Sequence, residues 1–73
     1  MTIIDVKSEI TGIVSKILKA VDDTVEEDEP IIVLESMKMQ IPITAPEDGS
    51  VIEILVEEEA AVAEGAVVAR IEV

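Results

Sequence analysis

The sequence predicts an all-β fold, a small sandwich or barrel in which two similar halves of the chain close face to face. Two observations lead to this prediction. Hydrophobic residues make up 49% of the chain, many of them Ile and Val with no aromatic residue, and β-branched side chains favour strands. The chain also contains an internal repeat of two units, and two units are too few for a solenoid.

The repeat appears when the chain is shifted by 37 positions, and it needs no gap. It divides the chain into halves of about 1–36 and 38–73, so we predict one domain over 1–73. Lys38 lies at the junction, and its counterpart in the other half is Met1. The aligned pairs include Gly12 with Gly49, Val14 with Val51, Ile17 with Ile54, Leu18 with Leu55, Val25 with Val62, Glu27 with Glu64, and Glu35 with Glu72.

Alternating hydrophobic segments bounded by turn residues predict six main strands and two short ones. Residues 46–49 (Pro-Glu-Asp-Gly) are expected to form a turn in which Pro46 sets φ and Gly49 permits a positive φ. The main strands are predicted near residues 2–6, 12–18, 31–36, 39–44, 49–56 and 67–72, and the short ones around Val25 and Val62.

Residues 57–70 consist largely of good helix formers, and propensity alone would predict a helix there. We predict strands and turns instead, because the matching residues 20–33 contain the pair Asp22-Asp23, Pro30 and a β-branched run. Gly65 also stands where a turn is needed.

Composition excludes several kinds of function. The chain has no Cys and no His, so thiolate chemistry, disulfides and the commonest general base and metal ligand are absent. The formal net charge of −12 argues against binding to nucleic acid or to an anionic membrane surface. Residues 1–10 lack the features of a signal peptide and no apolar stretch has the length of a membrane span, so we expect a cytoplasmic location.

The acidic residues do not form a recognisable catalytic or metal site. Residues 22–29 contain six of them, but they lack the alternating ligands and central Gly of an EF-hand loop, so a solvated loop is the better interpretation. Paired carboxylates could act in glycoside hydrolysis, but a chain this small has little room for a substrate pocket as well as a core. The sequence therefore does not predict an enzyme.

One segment is left as the candidate site, Glu35-Ser36-Met37-Lys38-Met39, which lies between two apolar runs. This pattern predicts a strand, a tight connection and a second strand, with Lys38 at the tip. A lysine displayed in this way is either an ordinary solvated charge or a target for covalent modification. Attachment of an acyl group would remove the charge and leave a long flexible tether.

These residues resemble the biotinyl domain of biotin-dependent carboxylases, the biotin carboxyl carrier family, whose signature is Glu-Ala-Met-Lys-Met. The resemblance extends over essentially the whole chain, from residues 6–12 through Ala45-Pro46-Glu47-Asp48-Gly49 to the end. It implies a flattened sandwich of two four-stranded antiparallel sheets with pseudo-twofold symmetry. It also implies that biotin is attached covalently to Lys38.

The resemblance further implies the partners and the roles of the neighbouring residues. A biotin protein ligase would attach biotin, a biotin carboxylase would load a carboxyl group, and a carboxyltransferase would pass it on. Met37 and Met39 would be the flanks that the ligase recognises, or would only pack the turn, while Glu35 and Ser36 belong to the hairpin. Lipoyl domains usually carry an acidic or smaller residue before the lysine and Ala after it, so a lipoyl carrier is the alternative. An unmodified interaction module is a third hypothesis.

The chain departs from the family pattern at several positions. Ser36 replaces the usual Ala, and Asp22, Asp28 and Glu59 stand where turn glycines are typical, which leaves Gly65 alone among them. Asp tolerates left-handed backbone moderately and Glu poorly, so we expect strained or differently shaped turns. The gapless repeat leaves no room for the protruding thumb of some carriers, so we expect the thumbless type.

Overall fold

A computed structural model describes residues 2–73, and eight β-strands account for most of them. All the predicted strands are present, and the helix-prone residues 57–70 contain turns and strands, as the repeat predicted. The strands are β1 (Ile3–Lys7), β2 (Gly12–Ile17), β3 (Thr24–Val25), β4 (Pro30–Ser36), β5 (Met39–Thr44), β6 (Gly49–Ile54), β7 (Ala61–Val62) and β8 (Val67–Glu72).

The strands form two four-stranded sheets, and every neighbouring pair is antiparallel. One sheet has the order β1-β8-β6-β3 and the other has the order β5-β4-β2-β7. Shifting by 37 positions converts each strand of one sheet into the strand at the same place in the other sheet. The predicted fold, two four-stranded antiparallel sheets related by a pseudo-twofold axis, is confirmed. Met1, the counterpart of Lys38, lies outside the described residues.

The core lies between the sheets and follows the same repeat. Its side chains are Val, Ile, Leu and two Ala, and seven of the thirteen have no exposed surface. Close packing of aliphatic side chains gives a core of this kind without aromatic residues. The buried pairs related by the repeat are Val6 and Ile43, Val14 and Val51, Val25 and Val62, Ile31 and Val68, Ile32 and Ala69, and Leu34 and Ile71.

The turns that lack glycine do adopt left-handed backbone. Asp22 has φ 79° and its counterpart Glu59 has φ 72°, while Asp28 has φ 69° and its counterpart Gly65 has φ 87°. The hydrogen bonds repeat as well. The Asp22 N–H donates to the Val51 carbonyl at 2.7 Å, and the Glu59 N–H donates to the carbonyl of Val14 at the same distance. Three of these four turn positions therefore adopt left-handed backbone without glycine.

The expected role of Gly49 is wrong. Residues 46–48 bend as predicted, but Gly49 does not have a positive φ. It is required because a Cβ at this position would overlap the Glu72 carbonyl oxygen of the neighbouring strand. Its repeat partner Gly12 meets the same constraint, with the Glu35 carbonyl oxygen 2.8 Å from the position of a Cβ. Both glycines permit close approach of the backbones.

The connections of the two halves are also equal. Residues 18–23 join β2 to β3, and residues 55–60 join β6 to β7. Neither contains an insertion, so the domain is of the thumbless type. No stretch within residues 2–73 forms a helix with the length and apolar character needed to cross a membrane.

Candidate functional site: the Lys38 hairpin

The candidate site is the two-residue loop between β4 and β5. Ser36 and Met39 form the last pair of the hairpin, and Met37 and Lys38 connect them with φ of 52° and 66°. Positive φ at both central residues is the requirement of a type I′ turn, whose twist matches that of the flanking strands. The predicted tight connection is therefore present, with Lys38 as its second central residue.

Burial of the strands determines which residues occupy this turn. Leu34 pairs with Ile41, and Ile32 pairs with Ile43. Leu34, Ile32 and Ile43 belong to the core between the sheets. Leu34 and Ile32 have no exposed surface. A slip of one residue would turn them toward solvent, so the register of β4 and β5 is strongly specified. The position of Lys38 in the turn follows from the hydrophobic pattern of the strands below it.

The turn itself is formed against local preference. Asn and Gly favour positive φ in type I′ turns, whereas this turn contains Met37 and Lys38. Each residue with a Cβ in the left-handed region costs roughly 1–2 kcal/mol. The pairing of six strand residues on each side and the buried base of the hairpin offset that cost. Strain of this kind is common at functional sites that a rigid scaffold supports.

Both methionines and the lysine lie on the surface. Met37 is 93% exposed and Met39 is 63% exposed, and Lys38 is also exposed. Among residues 2–73, no carboxylate forms an ion pair with the Lys38 amine. The amine is thus accessible to another molecule, and the methionines that flank it do not pack against the core.

Glu35 and Ser36 are the last two residues of β4, directly before the turn. Glu35 pairs with Gln40 across the sheet and is exposed, while Ser36 is half-buried. On the other side, Glu35 pairs with Ile13 of β2, so β4 is held between β5 and β2 up to the residue before Ser36. The five predicted residues therefore share one rigid element, and the structure does not itself assign a role to each.

Gly12 is the supporting residue that the sequence analysis did not assign to the site. Its missing Cβ would lie 2.8 Å from the Glu35 carbonyl oxygen and 3.5 Å from the Ser36 Cβ. The absence of a side chain lets the start of β2 lie close beside Glu35 and Ser36 in the same sheet. The repeat of Gly12 as Gly49 was a signal for this role, because a glycine that recurs at an equivalent strand position indicates a backbone constraint.

Two of the six acidic residues in 22–29 bind the backbone of their own loops through their carboxylates. The carboxylate of Asp23 accepts a hydrogen bond from the Ala20 N–H at 2.8 Å, and that of Glu29 accepts one from the Glu26 N–H at 3.0 Å. The Glu26 N–H and an ion pair with Lys19 at 3.2 Å lower the pKa of Glu29. These carboxylates stabilise turns, in agreement with the interpretation as a solvated loop.

Comparison with known proteins first identifies the family. The biotin/lipoyl family model, described as "Biotin-requiring enzyme", matches residues 4–71. The dihydrolipoyllysine-residue acetyltransferase component of the pyruvate dehydrogenase complex from Corynebacterium glutamicum is 45% identical over 60 residues, or 82% of this chain and 9% of that protein. The biotin-dependent acyl-coenzyme A carboxylase alpha3 subunit from Mycobacterium leprae is 38% identical over 66 residues, or 90% of this chain and 11% of that protein.

Solved structures agree on the fold. The urea carboxylase of Kluyveromyces lactis matches with a TM-score of 0.93 and 33% identity, over 99% of this chain and 6% of that one. A single-chain, multi-domain long-chain acyl-CoA carboxylase matches with a TM-score of 0.89 and 22% identity, over 94% of this chain and 7% of that one, which shows the fold alone. The chain spans about a tenth or less of the length of these proteins. The family model covers nearly all of the chain, and a lysine stands at the tip of the hairpin. This chain therefore belongs to the biotin/lipoyl attachment family.

Proposed function

We propose that the chain is a biotin carboxyl carrier domain and that biotin is attached to Lys38. The observation that supports biotin most directly is the exposure of both flanking methionines, 93% for Met37 and 63% for Met39. If they only packed the turn, they would be buried against it. Exposed, flexible thioether side chains instead suit a shallow and transient contact with an enzyme. A biotin protein ligase is the partner that this contact fits.

The hairpin suits covalent attachment of a carboxylic acid. The Lys38 nitrogen would attack the carbonyl carbon of an activated biotinyl group, forming the amide bond while the activating group leaves with its bonding electrons and the amine loses a proton. This requires an amine that an enzyme can reach, and Lys38 is exposed and without an ion-pair partner in residues 2–73. Once attached, biotin supplies a group that accepts a carboxyl unit at one active site and releases it at another.

The remainder of the domain would act as a rigid support for this tether. A group tethered to one carrier visits two active sites at high effective concentration without dissociating. The two sites would belong to a biotin carboxylase and a carboxyltransferase, which are the partners we propose. The buried base of the hairpin, formed by Ile32 and Leu34, keeps the attachment point fixed while the tether moves.

Lipoyl carriage is the second candidate, and one observation favours it. The relative with 45% identity is by name a dihydrolipoyllysine-residue acetyltransferase, and it is more similar to this chain than the carboxylase subunit at 38%. Overall identity in this domain largely follows the shared fold, whereas a modifying enzyme meets the hairpin. For this reason we give the methionine flanks more weight than the identity.

Intact mass after co-expression separates the candidates. The chain is expressed with a biotin protein ligase in one culture and with a lipoate-protein ligase in another, because the biotinyl amide is heavier than the lipoyl amide. We expect the biotinyl increment with the first enzyme, none with Lys38→Ala, and a normal increment with Lys16→Ala, a control that removes another exposed, unpaired lysine. A lipoyl increment alone would favour the alternative, and no increment with either enzyme would favour the unmodified module.

A further inference from the structure

The two flanking methionines have a second property, which is susceptibility to oxidation. Among residues 2–73, Met37 is the most exposed of the large hydrophobic side chains, and Met39 is the next. The chain has no Cys, no Trp and no His, so methionines are the side chains that react most readily with peroxide. Two of the chain's three methionines stand on either side of Lys38.

We infer that Met37 is an oxidation site, with Met39 a slower one, and that the sulfoxide hinders enzymatic acylation of Lys38. The oxidant is a peroxide. The inference rests on the proposed function, since it requires an enzyme that contacts the hairpin in order to modify the lysine. It goes further by making the attachment step sensitive to redox conditions.

The chemistry needs no other group of the protein. A lone pair of the thioether sulfur attacks one oxygen of hydrogen peroxide, the O–O bond breaks, and a sulfur–oxygen bond forms. Sulfur loses two electrons, the peroxide is reduced, and after proton transfer the products are the sulfoxide and one molecule of water. Accessibility of sulfur controls the rate, so the 93% exposed Met37 reacts before the 63% exposed Met39.

The structure separates the effect on recognition from an effect on folding. Neither methionine belongs to the buried core, so oxidation leaves the packing between the sheets unchanged. What changes is the surface that surrounds Lys38, because a flexible apolar side chain becomes polar and chiral. A contact that uses these side chains as apolar flanks is therefore weakened in a protein that remains folded. Sulfoxide reductases reverse the change.

The experiment uses the unmodified chain, treated with hydrogen peroxide and mapped by peptide mass spectrometry. We expect sulfoxide at Met37 before Met39, an unchanged far-UV circular dichroism spectrum, and a ligase rate about tenfold lower. Treatment with both classes of methionine sulfoxide reductase should restore the rate. The control is the double variant Met37→Leu with Met39→Leu, which keeps apolar flanks of similar volume, and its ligase rate should not change on treatment with peroxide.

Each possible outcome decides the inference. Equal ligase rates for oxidised and untreated chains would overturn it, as would faster oxidation of Met39 or a rate that the reductases do not restore. These results would leave the proposed function intact. If the untreated chain accepted no group from either ligase, the proposed function would fail first and the inference with it. The reductase measurement does not depend on how well a ligase accepts the leucine variant.

Discussion

At the scale of single residues, the left-handed turns show how the chain tolerates the loss of family glycines. Asp22 and Glu59 occupy equivalent positions with φ of 79° and 72°. A short Asp side chain can bond locally and adopts this region more readily than Glu does. Neither side chain makes a hydrogen bond within residues 2–73, and the lower intrinsic tolerance of Glu means that Glu59 carries more strain.

We predict that Glu59→Gly stabilises the domain. Glycine removes a backbone cost of roughly 1–2 kcal/mol at positive φ. Glycine also raises the conformational entropy of the unfolded chain, which lowers the free energy of unfolding by about 0.4–1 kcal/mol. The free energy of unfolding should therefore rise by about 0.5–1 kcal/mol, measured by urea denaturation. Glu58→Gly is the matched control, because it removes the same charge from an adjacent exposed residue without positive φ. It should destabilise by about 0.5–1 kcal/mol, and a change of equal sign in both variants would contradict the strain argument.

Much of the residue-scale detail of the site was visible in the sequence, and some was not. The apolar runs on both sides of residues 35–39 predicted a hairpin with Lys38 at its tip, because alternation determines the register. Gly49 was assigned the wrong reason, since its constraint comes from the Glu72 carbonyl of a strand distant in sequence. Such close approaches depend on which strands become neighbours in the sheet. The residues of one strand do not show which strand will lie beside it.

At the scale of elements, the outer faces of the two sheets differ although their backbones match. Arg70 of β8 lies between β1 and β6, with its Nε 2.9 Å from the Asp5 Oδ1 and its Nη1 2.6 Å from the Glu53 Oε1. These two carboxylates, Glu53 more than Asp5, raise the pKa of Arg70. The equivalent positions of the hairpin sheet are Val33, Pro42 and Lys16, where no such ion pairs form.

Removing Arg70 is expected to destabilise the sheet that contains it. In Arg70→Gln the guanidinium that bridges three strands is lost, and two carboxylates face a neutral side chain. The melting temperature should fall more than in Lys16→Gln, the matched control, which also removes one positive charge from an exposed strand position but breaks no ion pair. The difference should shrink in high salt because these exposed pairs are screened. Equal melting temperatures in the two variants would show that the bridge contributes nothing.

Local propensity and the internal repeat give different predictions for the secondary structure of residues 57–70. Residues 57–70 favour a helix when considered alone, but they form β7, a turn at Gly65 and β8. Tertiary pairing overrides propensity here, since β8 is a central strand that pairs with both β1 and β6. The repeat predicted this because it carried information from the other half of the chain. It could not predict the ion pairs of Arg70, because the equivalent residues of the other half carry different side chains.

At the scale of the whole molecule, charge is distributed over a small volume. Seventeen acidic and five basic residues give a net charge of −12, and the described chain has a radius of gyration of 11.1 Å. Its extents are 36 × 18 × 17 Å, so at low ionic strength, where the Debye length is about 30 Å, most of its charges interact with one another. The ion pairs found in residues 2–73 involve only Lys19 and Arg70, and self-repulsion should therefore dominate.

We predict that salt stabilises the domain, because raising ionic strength from about 0.01 M to 0.15 M shortens the Debye length to about 8 Å and screens repulsion more than it weakens the ion pairs. A gain of about 1 kcal/mol corresponds to a rise in melting temperature of roughly 4–8 °C. Far-UV circular dichroism is the suitable measurement, since the chain has no aromatic residue to report by fluorescence. The double variant Glu57→Gln with Glu58→Gln removes two exposed, unpaired charges and should melt higher at low salt with a smaller response to salt. A melting temperature that falls as salt is added would show that the local ion pairs outweigh the net charge.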